Sequence, residues 1–241
     1  RKPDGSLALN DANFEVRTGQ ILGVAGIAGS GQKELCECIA GLCPAETGAI
    51  LYRKENLIGK TPREIIRLGV QLGFVPEDRL GMGLVASMGM VGNMMLKTYD
   101  APKGPFVDPA PARRRAEELV QRLEIATPSV DTPVRLMSGG NVQKVLLGRE
   151  IESDPQVLIT AYPVRGLDIH SSYTVYDLLN EQKKKGVAVV FIGEDLDVLM
   201  ALSDRILVMC HGQVTGVVDG RTATKDEIAR LMVGAGEEAA Q

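Results

Sequence analysis

The sequence predicts an α/β fold: a mostly parallel core sheet with an antiparallel β edge and a helical insertion. Three observations point there. Short apolar runs alternate with helical patterns, a glycine-rich turn joins an early apolar run to a helix, and residues 77–137 lose the strand pattern. The glycine turn is Gly26-Ile27-Ala28-Gly29-Ser30-Gly31-Gln32-Lys33-Glu34, after the apolar run Ile21 to Ala25. Glycines at that spacing let backbone N–H groups converge on an anion at a helix N-terminus, so the turn has the form of a phosphate cradle. In G-x-x-x-x-G-K-[S/T] a lysine reaches the outer phosphates and a hydroxyl binds Mg²⁺. Gln32 and Lys33 occupy those two positions.

Bulk properties narrow the function classes. With 241 residues and 44% hydrophobic content the chain fills one large core or two small ones. A formal charge of -4 argues against nucleic acid as the main partner, which calls for a clustered basic surface. Arg113-Arg114-Arg115 and Lys183-Lys184-Lys185 read as solvated helix faces. No apolar stretch approaches the ~18 residues that span a bilayer, and no signal-like N-terminus is visible, so a cytosolic chain is expected. Its start at Arg1 rather than Met suggests a piece of something longer. Cys36, Cys38, Cys43 and Cys210 lack zinc-like spacing and are expected to be reduced, inert thiols.

In chain order, Ser6 to Asn10 and Asn13 to Arg17 read as short strands leading into the buried strand Ile21 to Ala25. Leu35, Ile39 and Leu42 recur at helical spacing, and Gly41 with Pro44 stops that helix. Ala49 to Tyr52 is the next strand. Thr61-Pro62 is an N-cap with proline at the first helical position, opening a helix from Pro62 to Leu68. Leu72 to Val75 is a strand closed by Pro76. The insertion holds Met82, Met88, Met90, Met94 and Met95, which read either as core filler or as an adaptable surface packing on another protein. A proline-bearing loop, Ala101 to Pro111, and a charged helix, Ala112 to Leu123, follow. After Ser138-Gly139-Gly140 come a helix to about Glu152, a strand Gln156 to Thr160, a helix from Asp168 to about Lys185, the strand Val187 to Ile192, and a helix from Asp195 to about Ser203. Arg205 to Met209 and Gln213 to Val218 form a hairpin about His211-Gly212, and Thr224 to Met232 is a final helix. The tail is rich in Ala, Gly and Glu and is expected to be disordered.

Leu136-Met137-Ser138-Gly139-Gly140-Asn141-Val142-Gln143-Lys144, about a hundred residues after the glycine turn, precedes an apolar strand and Gly166-Leu167-Asp168. That order resembles the P-loop ATP-binding cassette of ABC transporters across essentially the whole chain. The resemblance identifies Ser138, Gly139, Gly140 and Asn141 with the family's signature motif and Asp168 with its D-loop. It also implies the division of the chain: a nucleotide-binding core with a β edge at 1–76 and 154–232, a helical subdomain at 77–153 ending in the signature helix, and a tail at 233–241. Against the family pattern several groups are replaced. Walker B ends Asp-Glu in the family, whereas Leu158-Ile159-Thr160 runs into Ala161-Tyr162-Pro163. Glu77 matches the family's γ-phosphate-sensing glutamine and Glu194 its switch histidine. An aromatic is expected upstream to stack on adenine, and the first thirteen residues contain none.

These departures carry a physical consequence. Phosphoryl transfer relies on positive charge around an anionic γ-phosphate. A neutral amide replaces lysine, and two carboxylates would face phosphate. Lys33 lies one helical step, about 100°, away from the phosphates. Weak ATP binding and negligible turnover at the chain's own site are expected, with no metal there and Mg²⁺ only at a partner's site. The pattern resembles the degenerate second cassette of importers for simple sugars and nucleosides, which Pro163-Val164-Arg165-Gly166-Leu167-Asp168 and Glu194-Asp195-Leu196-Asp197 also match. That resemblance implies a first cassette on the same polypeptide as partner, transmembrane permease subunits, and a peripheral place on the cytoplasmic membrane face, with the isolated chain soluble. In a cassette dimer Ser138, Gly139 and Gly140 would act on ATP held by the other cassette. The rivals are a non-catalytic interaction domain, a soluble ABC-type ATPase of repair or translation, and a P-loop kinase, which would need the missing lysine.

Overall fold

The structure is a computed structural model that describes residues 5–97 and 107–234. Much of the loop expected at 101–111 and most of the tail expected at 233–241 lie outside the described residues. The elements run β1 (Ile21–Gly26), α1 (Gln32–Ile39), β2 (Leu51–Tyr52), β3 (Glu55–Asn56), α2 (Pro62–Arg67), β4 (Leu72–Val75), α3 (Met90–Met95), α4 (Ala110–Arg122), α5 (Gly139–Ile151), β5 (Val157–Ala161), α6 (Ile169–Lys184), β6 (Ala188–Ile192), α7 (Leu196–Leu202), β7 (Arg205–Cys210), β8 (Gln213–Asp219) and α8 (Lys225–Met232). The main sheet has the order β4-β5-β6-β1-β7-β8, parallel throughout except for the antiparallel pair β7–β8 at one edge.

Period-two alternation sorts the strand side chains onto two faces. Ile21 and Ala25 of β1 join one core with Val189, Phe191, Ile206 and Val208. Leu22 and Val24 join the other with Val190, Ile192, Leu207 and Met209. Burial of both faces is what parallel strands require. Helix α5 is buried from Val142 to Ile151 and wedges between sheet and insertion. Thr61 caps α2 in a full capping box with Glu64, and Pro62 sits in the first turn, as its sequence signature predicts.

One expectation fails. Ser6 to Asn10 and Asn13 to Arg17 form no strands. Asp11 takes a left-handed backbone, φ 53°. Leu9, Ala12, Phe14 and Val16 pack on the second core without joining the sheet. Their alternation reports one-sided burial of an extended chain, which needs no strand partner. The antiparallel edge is supplied by β8 instead. Of the methionines, Met90 and Met94 are core and Met95 packs against it, whereas Met82 and Met88 are exposed.

Candidate nucleotide and signature sites

The glycine turn joins β1 to α1. Gly29 and Gly31 have φ of 85° and 100°, and a Cβ on Gly31 would lie 2.6 Å from the Ala8 carbonyl oxygen, so glycine is required there. Ser30 N–H donates to the Ile27 carbonyl at 3.0 Å, and the Ser30 carbonyl accepts from Gly212 N–H at 2.9 Å. Ile27, Ala28 and Gly29 are exposed, as a cradle for an outside anion must be. Gln32 is buried and its Nε2 donates to the Ile27 carbonyl at 3.1 Å, inside its own turn. A satisfied neutral amide therefore fills the space below Gly26. Lys33 is exposed on α1, its Nζ 3.8 Å from Glu37, and Glu34 adds a negative charge in the first turn. The turn fits phosphate through its backbone and the positive end of α1. Lys33 and Ala161 stand where the family resemblance would place a hydroxyl and a carboxylate for Mg²⁺. Among the described residues no cluster of three or more His, Cys, Asp or Glu could hold a metal.

Strand order then aligns three loops. Neighbouring strands β4, β5 and β6 end in Glu77, Tyr162–Arg165 and Glu194. Arg165, from the middle loop, pairs with Glu77 through Nη1 and approaches Glu194 through Nε at 3.5 Å. Its guanidinium lies 5.9 Å from the Tyr162 ring centre. A single guanidinium thus offsets part of the negative charge of the two carboxylates expected to repel phosphate and leaves the triad with one net negative charge. Burial, then the charges of Glu77 and Glu194, push the Tyr162 phenol up. A cavity of about 380 Å³ beside this row is lined by Lys33, Glu37, Glu77, Asp78 and Ala161 among others. Sequence reasoning missed the pairing although it quoted Arg165.

The signature turn is a separate construction. Ser138 caps α5: its Oγ accepts from Asn141 N at 3.4 Å and from Asn141 Nδ2 at 3.0 Å. Asn141 is held in turn by Ala126 N–H, which donates to its Oδ1 at 3.0 Å. Asp168 caps α6, accepting from Ser171 N at 2.9 Å and Ser171 Oγ at 2.7 Å. The Ser171 backbone N–H, then its hydroxyl, hold the Asp168 carboxyl below the usual carboxylate range. The two helix N-termini touch: a Cβ on Gly140 would come 2.8 Å from Ser171 Oγ. Ser138 and Gly139 are exposed, as are Leu136, Ile169 and Tyr173 on the same stretch of surface residues. The four cysteines are free, and burial pushes the Cys36 thiol far up and Cys38 to about 11, the state of inert thiols.

A parallel sheet with a glycine turn after its β1 strand and a capped helix N-terminus facing outward defines a P-loop nucleotide-binding domain. Comparison narrows this: residues 9–163 match the ABC transporter family, and the chain belongs to it. It is 38% identical over 234 residues to the ribose import ATP-binding protein RbsA 1 of Rubrobacter xylanophilus, covering 96% of this chain and 46% of that protein. It is 34% identical over 241 residues to the guanosine import ATP-binding protein NupO of Bacillus subtilis, covering 98% and 46% respectively. The chain thus spans about half the length of the curated relatives it matches. Among solved structures, a dimeric ATP-binding cassette, MJ0796, bound to ADP and Pi, superposes with a TM-score of 0.78 at 21% identity over 90% of this chain and 92% of that one. At that identity the likeness shows the fold.

Proposed function

We propose that this chain is the degenerate second cassette of an importer for simple sugars or nucleosides. It supplies its signature turn to ATP bound by a first cassette on the same polypeptide and transmits closure to transmembrane permease subunits. The observation that carries this reading is a capped, exposed Ser138–Gly140 turn in a chain whose own pocket lacks the lysine, the hydroxyl and both carboxylates. Asn141 Nδ2 occupies a lone pair of the Ser138 oxygen, which leaves the hydroxyl proton to donate outward. Ser138 Oγ–H and the N–H groups of Gly139 and Gly140 then donate to the γ-phosphate across the dimer, with the positive end of α5 behind them. Asp168 holds the neighbouring turn through Ser171.

Relatives named for ribose, xylose and nucleoside import support the importer assignment. Their length, about twice this chain, supports a companion cassette. No described helix is long and apolar enough to cross a membrane, which suits a chain peripheral to the cytoplasmic face. The segment 77–153, with Met82, Met88 and Leu80 exposed, is the surface that meets the permease. In the assembled transporter, Ser138→Arg should abolish uptake while Gln32→Ala retains most of it. The reverse ranking, or ordinary cassette turnover by the purified chain alone, overturns the reading.

A further inference from the structure

We infer that Arg79 is a second group acting across the dimer: its guanidinium contacts the γ-phosphate of the ATP held by the partner cassette, beside Ser138–Gly140. This rests on the reading of the signature turn given above. Arg79 opens a π turn, Arg79–Gly83, a rare conformation that recurs at functional sites. The turn is fastened by Asp78, whose Oδ1 accepts from Gly81 N–H at 2.8 Å, and by Leu84 N–H donating to the Arg79 carbonyl at 2.7 Å. It delivers the guanidinium to the signature: Arg79 Nη1 lies 3.4 Å from where a Cβ on Gly139 would stand. Nη2 donates to the Arg165 carbonyl, which fixes the side chain from behind.

Charge is the decisive point. Both carboxylates near Arg79 are engaged elsewhere, Glu77 by Arg165 and Asp78 by the turn it caps. Among the described residues Arg79 makes no ion pair, and burial disfavours its charged form. A partly desolvated guanidinium without a carboxylate partner, beside the positive end of α5, is a donor that an arriving anion can engage. A cavity of about 480 Å³, lined by Glu77, Asp78, Arg79, Gly139, Val142 and Arg165 among others, opens between them, with Glu77 turned to Arg165 and Asp78 to the Gly81 N–H. The backbone N–H groups supply direction, and Arg79 supplies a full charge, which makes the hydrogen bonds to phosphate about twice as strong as neutral ones.

The test uses the full-length polypeptide with its membrane subunits and a fluorescence pair reporting closure of the two cassettes on titration with MgATP, with MgADP as control. Arg79→Gln keeps an N–H donor for the Arg165 carbonyl but removes the charge, and Arg79→Lys keeps the charge. R79Q should need at least about tenfold more MgATP for closure, with its MgADP response unchanged. R79K should recover most of the loss, and the closure of R79Q should be less sensitive to salt than that of the parent. Wild-type closure by R79Q, or equal impairment of R79K and R79Q, overturns the role of Arg79 while Ser138→Arg still abolishes closure. Normal closure by Ser138→Arg overturns the underlying reading instead.

Discussion

Replacing Glu150 by alanine should destabilise the chain more than any surface change. Glu150 is fully buried on α5. Its Oε1 accepts from Arg149 Nε at 2.9 Å and Nη2 at 2.8 Å, and its Oε2 accepts from Lys97 Nζ at 2.7 Å and from Phe74 N–H at 3.0 Å. Strand β4 is an edge strand, so the Phe74 N–H has Glu150 in place of a neighbouring strand. In Glu150→Ala the Arg149 side chain, 8% exposed, is left buried without its carboxylate, while Lys97, 34% exposed, turns to water. Breaking a buried pair by removing one partner costs about 3–5 kcal/mol, and stranding the Phe74 N–H adds to the upper part of that range. For a chain of this length each kcal/mol lowers Tm by about 2–4 °C, so a fall of roughly 6–20 °C is expected in calorimetry. Glu150→Gln, which keeps an acceptor for Phe74, should lose less. A fall of under about 2 °C for the alanine variant would show that Arg149 and Phe74 N–H find other partners and would refute the reasoning.

Gly140→Ala places a Cβ 2.8 Å from Ser171 Oγ and should cost about 1–3 kcal/mol in urea unfolding, partly recovered when combined with Ser171→Ala; additive losses would contradict the contact. Gln32→Lys restores a charge beside the glycine turn and should strengthen ATP binding, measured by calorimetric titration, without hydrolysis, because Ala161 and Tyr162 remain; measurable turnover would refute the assignment of the missing carboxylates. Asp168 has a folded pKa below its unfolded one, so the stability it contributes is present above about pH 4 and is lost as pH falls further. Asp168→Ala should therefore narrow the gap between variant and parent on acidification, and a gap that widens below pH 4 would reverse the sign.

Local signals were legible and long-range ones were not. The glycine turn, the Thr61 cap, the apolar strands expected at Gln156 to Thr160 and Val187 to Ile192 and the hairpin about His211 each rest on a few neighbouring residues, and each is present, the two strands one residue further on at their start. The N-terminal strands failed because alternation in Ala12, Phe14 and Val16 encodes burial and says nothing of whether a strand partner exists. The Arg165 pairs depend on strands that start at residues 72, 157 and 188 lying side by side, an adjacency that sequence order hides. The restraint on Asn141 comes from Ala126, fifteen residues upstream in a loop with no motif of its own.

The ion triad of Glu77, Arg165 and Glu194 bears on how the chain is kept folded. A ligand stabilises a fold by RT ln(1 + [L]/Kd), so tight nucleotide sites tie a protein's folded population to ATP supply. Here the countercharges are part of the polypeptide and are present at every nucleotide concentration. On the proposed reading, in which the chain's own site holds ATP weakly, the folded population should vary little with nucleotide concentration, which thermal melts with and without MgATP would check.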